Sequence, residues 1–144
     1  MRKLALDIGT KTCGFAITDE SEIIASNLET LRYQEDQALE KIIEYIKNLE
    51  AKYKIDGLII GYPIKLDGSK SPTTLFVEKV VAALKQNLNL PYLLINEQYS
   101  TKKAHQIMIN AGLTRQKRKL HKDKMAAQLI LEDYLEYYQN KWDK

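Results

Sequence analysis

The chain has 144 residues, of which 44% are hydrophobic and 28% are charged, and its net charge is +3. These values predict one globular domain large enough to fold alone, and so mild a charge does not by itself indicate nucleic acid. The single cysteine, Cys13, excludes an internal disulfide and favours a reducing, cytoplasmic compartment. We recognise neither a signal peptide nor an apolar run of the ~20 residues that cross a bilayer, so we expect no membrane association.

In chain order, the first predicted element is a hairpin. The short apolar runs Leu4 to Ile8 and Cys13 to Thr18 are separated by the turn Gly9-Thr10-Lys11-Thr12. A third strand of the same meander is predicted within Glu22 to Thr30. Apolar residues then recur at helical spacing, which predicts a helix from about Glu35 to Lys52.

Strands and helices alternate in the second half of the chain. The apolar run Leu58 to Ile60 is typical of a strand buried on both faces, and so is Pro91 to Asn96. Between them, Ser71 is the expected N-cap of a helix that has Pro72 at its first position. A further helix is predicted from Ser100 to about Asn110.

A last helix is predicted to begin near Lys122. Its inward stripe follows helical spacing and comprises Ala127, Ile130, Leu131, Tyr134, Leu135 and Tyr138. We expect residues 1–139 to form a single domain and residues 140–144 to be a frayed tail. An antiparallel start followed by strand–helix alternation predicts an α/β fold, with a mixed sheet and helices on both faces.

Three carboxylates occupy unusual positions. Asp7 interrupts the apolar run of the first strand, where an unpaired carboxylate is costly. Glu97 follows the second buried strand, and Asp123 precedes Ala127 by four residues, on the buried stripe of the last helix. If the first strand and the strand before Glu97 are neighbours, the three acids meet at the carboxyl edge of the sheet. Converging carboxylates are ionised together only around a multivalent cation, and oxygen ligands favour Mg²⁺ or Mn²⁺.

Each acid also has an ordinary interpretation. A lone Asp or Glu near an element boundary is usually a cap or a solvated charge. Asp123 alone is an acid favoured by the helix dipole, and Glu97 alone is a loop residue. Asp7 alone has no capping role, because it lies within a strand. The convergence of the three therefore follows from the predicted fold and not from their spacing.

Four segments resemble, in order, the segments of one bacterial family. They are "LALDIGTKTCGFAITD", "GLIIGYPIKLDGSKSP", "INEQYST" and "KDKMAAQLILEDYL", which together extend over nearly the whole chain. The first is similar to the opening D-[FIVL]-G-x-x-x-x-G hairpin of the YqgF family. Members of that family are described as Holliday junction resolvases and as nucleases that mature the 5′ end of 16S ribosomal RNA. The resemblance implies a ribonuclease H-like fold with a five-stranded mixed sheet.

Carried over position by position, the resemblance also implies the site. Asp7, Glu97 and Asp123 fall on the family's catalytic metal ligands, which hold Mg²⁺ or Mn²⁺ in a two-metal phosphodiesterase. The implied function is an endonuclease that matures 16S ribosomal RNA, with Holliday junction resolution in DNA repair as the alternative. Asn96 and Gln98 depart from the pattern, since the family usually has aspartate and arginine beside the catalytic glutamate.

Further site residues are expected around these acids. Gly9 and Gly14 lack a Cβ, so a strand edge or a ligand approaches closely there. Thr10 and Lys11, at the hairpin tip, are expected to touch phosphate oxygens. A basic segment around Asp123 is a second expected contact with the phosphate backbone, although a charge run alone is usually solvated. Its residues are Arg115, Lys117, Arg118, Lys119, Lys122 and Lys124.

Two other functions stay open. The hairpin also resembles the phosphate-binding hairpin of sugar kinases, actin and 70-kDa chaperones, which need two such lobes, whereas 144 residues supply one. The departures at Asn96 and Gln98 leave room for a non-catalytic nucleic-acid-binding module with a decayed site. The sequence does not separate structured RNA from a four-way DNA junction, nor a monomer from the homodimer that a symmetric junction favours.

Overall fold

The structure is a computed structural model, and it describes residues 1–64, 67–96, 126–139 and 141–142. In these ranges six strands form one sheet: β1 (Arg2–Ile8), β2 (Thr12–Thr18), β3 (Ala25–Asn27), β4 (Leu31–Arg32), β5 (Ile55–Tyr62) and β6 (Tyr92–Asn96). The helices are α1 (Ala38–Lys52), α2 (Pro72–Asn87) and α3, which is helical at residues 126–133 and continues as a π-helical turn, Tyr134–Tyr138.

The sheet is mixed, as predicted. Its strand order is β3-β2-β1-β5-β6, with β4 also pairing with β2. Strands β1 and β2 form the antiparallel hairpin, whereas β1 with β5 and β5 with β6 are parallel. The count is six strands instead of five, because β4 has two residues and leaves no hydrophobic pattern. Strand β5 lies between β1 and β6. The first strand and the strand ending at Asn96 are therefore not neighbours, and the stated condition for the three acids to meet is not fulfilled.

Helices cover both faces of the sheet, which confirms the predicted layers. On one face, Leu4 and Leu6 of β1 belong to a core cluster that also contains buried residues of α1 and α2. On the other face, Ala5 of β1 and Ala16 of β2 belong to a second cluster with Ala127 and other α3 residues. Alternate residues of a strand point to opposite faces, so β1 contributes to both clusters.

Helix α2 begins as the sequence predicts. The Ser71 hydroxyl accepts a hydrogen bond from the Thr74 amide at 3.2 Å, and the Thr74 hydroxyl accepts one from the Ser71 amide at 3.1 Å. This reciprocal pair satisfies two amide donors of the first turn. Pro72 occupies the first helical position, and the Thr74 hydroxyl also donates to the Pro63 carbonyl. In the described part of the chain, no helix combines the length and apolarity needed to cross a membrane.

Strand β6 is less buried than predicted. Ile95 is buried among the α3 cluster, but Tyr92 and Leu94 are 36% and 39% exposed. β6 stands at one end of the described strand order, where one side of the strand has no pairing partner among the described strands. An apolar run in an edge strand has the same sequence pattern as one in a central strand, which is why the prediction of a buried strand is wrong here.

Residues near the two ends of the chain meet around Lys3, whose side chain is 8% exposed. The ammonium group lies 2.7 Å from the Asp56 carboxylate and 3.3 Å from that of Glu22. It also lies 5.6 Å from the centre of the Trp142 ring, in the segment expected to fray. The Trp142 indole N–H donates to the Tyr134 hydroxyl at 2.7 Å. We call these five residues the Lys3 cluster; it ties α3 and Trp142 to the amino ends of β1 and β5.

Candidate active site

Asp7 lies at the carboxyl end of β1, on the face of the sheet that α3 covers. It pairs with Gly14 across the hairpin, and Ala5, two residues earlier on the same face, belongs to the α3 cluster. The side chain is half-buried. Among the described residues, the Asp7 carboxylate makes no hydrogen bond or ion pair. A half-buried carboxylate placed in this way is suited to binding a cation.

The space beside Asp7 is bounded by Gly14 and α3. A Cβ at Gly14 would lie 3.8 Å from the Asp7 Cβ and 3.7 Å from the Ala127 Cβ. Ala127 therefore packs over the hairpin at the level of Asp7. Asp123 precedes Ala127 by four residues in the sequence and lies outside the described residues, so Ala127 is the described residue of α3 that is nearest to it along the predicted stripe.

In strands β5 and β6, the residues that lie in the same row of the sheet as Asp7 are Gly61 and Ile95. Gly61 follows Ile60, the partner of Leu6, and pairs with Ile95 of β6. Gly61 has no side chain to fill the face between Asp7 and Ile95. Glu97 comes two residues after Ile95 in the sequence and is outside the described residues.

The turn after Asp7 is held by Tyr33. The Tyr33 hydroxyl contacts the carbonyls of Gly9 at 2.6 Å and Thr12 at 2.9 Å, and burial raises the pKa of Tyr33. The Gly9 amide donates to the Thr12 carbonyl at 2.8 Å, and a Cβ at Gly9 would lie 3.1 Å from that oxygen. Glycine therefore permits the close approach that the turn requires. Tyr33 therefore fixes the backbone beside Asp7.

Strand β4 brings Arg32 to the same hairpin. Leu31 pairs with Cys13 and packs against the cluster on the α1 and α2 face, whereas Arg32 pairs with Thr12. Sequence reasoning missed this arginine, because β4 is too short to show a strand pattern and Arg32 is 20 residues from Thr12. An exposed arginine alone gives no signal of its neighbours.

The remaining predicted site residues divide between described and undescribed parts of the chain. Thr10 is half-buried and Lys11 is exposed at the hairpin tip. The following lie outside the described residues: Glu97, Asp123, Arg115, Lys117, Arg118, Lys119, Lys122 and Lys124. Within the ranges that the structure describes, no group of three or more His, Cys, Asp or Glu side chains could hold a metal ion. Asp7 is the one predicted metal ligand in those ranges.

Cys13 is not part of a metal site in the described ranges. It is buried on the face opposite Asp7. Burial raises the pKa of the Cys13 thiol well above its ordinary value, and the charge of Asp7 raises it further. A neutral, buried thiol is inert as a ligand or nucleophile.

This sheet order, with helices on both faces and an acid at the end of the first strand, defines the ribonuclease H-like class. Two solved structures share the fold. RuvC of Thermus thermophilus in complex with a Holliday junction substrate has a TM-score of 0.56 at 12% identity, covering 94% of this chain and 95% of that one. The fowlpox virus Holliday junction resolvase has a TM-score of 0.52 at 16% identity, covering 94% and 99%. Such low identities show the fold alone.

The family follows from sequence similarity. A family profile described as RuvX, Holliday junction resolvase, matches residues 1–137, and the chain belongs to that family. A relative from Mycoplasmopsis synoviae (strain 53) is 43% identical over 138 residues, covering 96% of this chain and 99% of the relative. One from Ureaplasma parvum serovar 3 is 46% identical over 143 residues, covering 94% and 96%. Both are named as candidate pre-16S rRNA nucleases. The predicted family and the predicted ribonuclease H-like fold are confirmed.

Proposed function

We propose that this protein is a metal-dependent endonuclease that matures the 5′ end of 16S ribosomal RNA from its precursor. The observation that carries the proposal is the position of Asp7. Its carboxylate lies half-buried at the carboxyl edge of the sheet, beside Gly14 and below Ala127. The membership of the family and the names of the two curated relatives support a nuclease acting on this RNA.

Mg²⁺ or Mn²⁺ fits the residues that this part of the sheet provides. Asp7 is an oxygen donor with no hydrogen bond or ion pair among the described residues, and Gly14 leaves the adjacent space without a side chain. Glu97 and Asp123 would complete the ligand set that the family resemblance implies. A pair of bound divalent ions supplies Lewis acidity that activates water and stabilises charge on the phosphodiester.

The chain's own residues then bind and orient the nucleic acid. Because Gly9 and Gly14 have no side chain, nothing projects from these two positions of the hairpin, and a backbone phosphate can approach Asp7. Thr10 and Lys11 at the hairpin tip, together with the basic segment at 115–124, would neutralise phosphates of the nucleic-acid backbone. We place the protein in the cytoplasm, where ribosomal RNA is processed and where a lone reduced cysteine is usual.

Holliday junction resolution is the second candidate function. The family description names this activity, and the RuvC structure with the same fold was determined with a junction substrate. A symmetric junction would call for a homodimer, whereas an RNA without two-fold symmetry imposes no such requirement. The oligomeric state in the presence of each substrate therefore separates the two candidates.

The test compares wild-type protein with Asp7→Asn on a labelled RNA from the 5′ region of pre-16S rRNA and on a labelled four-way DNA junction. We expect wild type to cleave the RNA only with Mg²⁺ or Mn²⁺. Asp7→Asn keeps the shape and removes the charge, so the rate should fall by more than the ~100-fold typical of losing an outer-shell metal partner.

The matched control is Asp36→Asn, since Asp36 is exposed in the 3₁₀ turn before α1 and should leave the rate unchanged. Equal cleavage by wild type and Asp7→Asn would contradict the metal mechanism. Efficient cleavage of the junction with none of the RNA would favour the second candidate.

A further inference from the structure

The structure points to a nucleic-acid-binding residue that the family resemblance does not include. We propose that Arg32 binds a backbone phosphate a few nucleotides away from the phosphodiester held at Asp7. This inference rests on the proposed function for its substrate, but its evidence is separate. It follows from the pairing of β4 with β2.

The strand register puts Arg32 on the Asp7 face of the sheet. Asp7 pairs with Gly14, and Thr12 lies two residues from Gly14 on the same strand and therefore on the same face. Thr12 pairs with Arg32, and paired residues point to the same side. The neighbouring residue confirms the assignment, because Leu31 packs into the cluster on the opposite face.

The distance between Arg32 and Asp7 is suited to binding two nearby phosphates of the same nucleic-acid strand. β4 and β1 lie on either side of β2, which separates them by about 10 Å at ~4.8 Å per strand. The row that contains Thr12 and Arg32 is two residues from the row that contains Asp7, or about 7 Å at ~3.3 Å per residue. The two Cα atoms are thus roughly 12 Å apart. An extended arginine side chain at that distance can bind a phosphate close to the one held at Asp7 without competing for it.

The guanidinium group is available for a phosphate. Arg32 is exposed, and in the described part of the chain its side chain makes no hydrogen bond or ion pair. The amide of Tyr33, the residue after Arg32, donates to the Lys11 carbonyl at 3.0 Å. Lys11 is a second exposed cation, and its backbone therefore lies close to that of Arg32 at the hairpin tip. A guanidinium matches phosphate with two parallel hydrogen bonds, whereas an ammonium acts as a point charge.

The backbone that carries Arg32 is fixed to the turn beside Asp7. Pairing with Thr12 holds Arg32 itself, and the next residue, Tyr33, is bonded through its hydroxyl to the carbonyls of Gly9 and Thr12. Arg32 and Asp7 therefore belong to one rigid element. A phosphate bound by Arg32 is held at a set distance from the reacting one, which favours correct orientation of the substrate.

The experiment measures RNA binding with EDTA present, so that cleavage does not occur. The probe is the labelled 5′ RNA of pre-16S rRNA, titrated at several salt concentrations with wild type, Arg32→Ala, Arg32→Gln and Arg32→Lys. Loss of one phosphate contact should weaken binding about tenfold. It should also make the negative slope of log K against log salt shallower by about one. Arg32→Lys should keep the slope and recover part of the affinity. In the cleavage assay, Arg32→Ala should lower kcat/KM, with the larger part of the effect in a raised KM.

The matched control is Lys41→Ala, an exposed cation on α1, which packs on the opposite face of the sheet. It should leave affinity and slope unchanged. A cation on a short edge strand also opposes pairing between sheets, and that role alone would leave RNA binding unaltered. An unchanged slope in both Arg32→Ala and Arg32→Gln, with their thermal unfolding unaltered, therefore overturns the inference, and so does an equal loss in Lys41→Ala.

Failure of the proposed function gives a different result. If wild type binds the RNA with an Arg32-dependent slope and cleaves neither RNA nor junction with Mg²⁺, Arg32 is a binding residue and the nuclease proposal is wrong. If wild type cleaves the RNA and Arg32→Ala has the wild-type slope and KM, only the inference about Arg32 is wrong. Stronger Arg32-dependent binding to the DNA junction than to the RNA would keep the phosphate contact and favour the second candidate substrate.

Discussion

Gly14 lies opposite Asp7 on the β1–β2 hairpin, and a side chain there would stand between Asp7 and α3. The two relevant distances from its Cβ, 3.8 Å to the Asp7 Cβ and 3.7 Å to the Ala127 Cβ, are ordinary contacts. The Cβ of Gly9, in contrast, would lie 3.1 Å from a backbone oxygen. The two glycines of the opening motif therefore differ in role. Gly9 permits the turn, whereas Gly14 keeps space free beside the acid.

This difference predicts opposite outcomes for two alanine variants. Gly14→Ala should fold with an unfolding free energy within about 1 kcal/mol of wild type and cleave RNA more slowly, because the methyl group occupies the space beside Asp7. Gly9→Ala should lose stability, since the turn must open to relieve the contact. Denaturant unfolding and cleavage rates, measured on both variants, check this. Wild-type cleavage by Gly14→Ala would show that the space is not used.

Tyr33→Phe tests whether the turn is held by the hydroxyl. The ring stays, but the carbonyls of Gly9 and Thr12 lose a donor at 2.6 and 2.9 Å. We expect a loss of about 1 kcal/mol in the free energy of unfolding. Amide hydrogen exchange in residues 9–12 should become faster, with exchange in α2 unchanged. If exchange at the turn stays as slow as in wild type, the hydroxyl does not hold it.

The parts of the fold that local patterns specify could be predicted from the sequence. Helix α1 follows from its apolar periodicity, and helix α2 from the Ser71 cap with Pro72 at the first position. The hairpin follows from two apolar runs around a short turn. Asp7 is identifiable as a candidate site residue because a carboxylate interrupts one of those runs. Each of these signals lies within a few residues of the feature that it predicts.

The parts of the fold that depend on contacts between residues far apart in the chain could not be predicted from the sequence. Tyr33 and Gly9 are 24 residues apart, and nothing in either neighbourhood indicates their bond. The insertion of β5 between β1 and β6, and the pairing of Arg32 with Thr12, are decided by the order of strands in the sheet. The exposure of β6 follows from the same order. Periodicity identifies a strand but not its neighbours.

Lys3→Met tests the Lys3 cluster. The substitution keeps an unbranched side chain that is one atom shorter, and it removes the charge that pairs with Asp56 and Glu22. Those carboxylates are 36% and 27% exposed and remain partly solvated, so we expect a loss of about 1–2 kcal/mol, less than for a fully buried pair. Trp142 fluorescence should shift as the ring loses its cation. The control is Lys70→Met, whose pair with Glu78 is exposed and should have no measurable effect on stability.

Tyr45→Phe tests the cause of stability loss at alkaline pH. Burial raises the pKa of Tyr45 from 10.0 to about 12, so the unfolded chain releases this proton at lower pH than the folded one. The contribution of Tyr45 to stability is therefore complete below pH 10 and is lost as pH rises from 10 to about 12.

Phenylalanine keeps the ring contact with Phe15, whose centroid lies 4.3 Å away, and does not titrate. Burial also raises the pKa of Tyr33, but that group is present in both proteins and cancels in their difference. The difference in unfolding free energy, measured by urea titration, should be constant from pH 7 to 9 and then move in favour of Tyr45→Phe. A difference that stays constant up to pH 12 would mean that the Tyr45 hydroxyl titrates equally in the folded and unfolded chains.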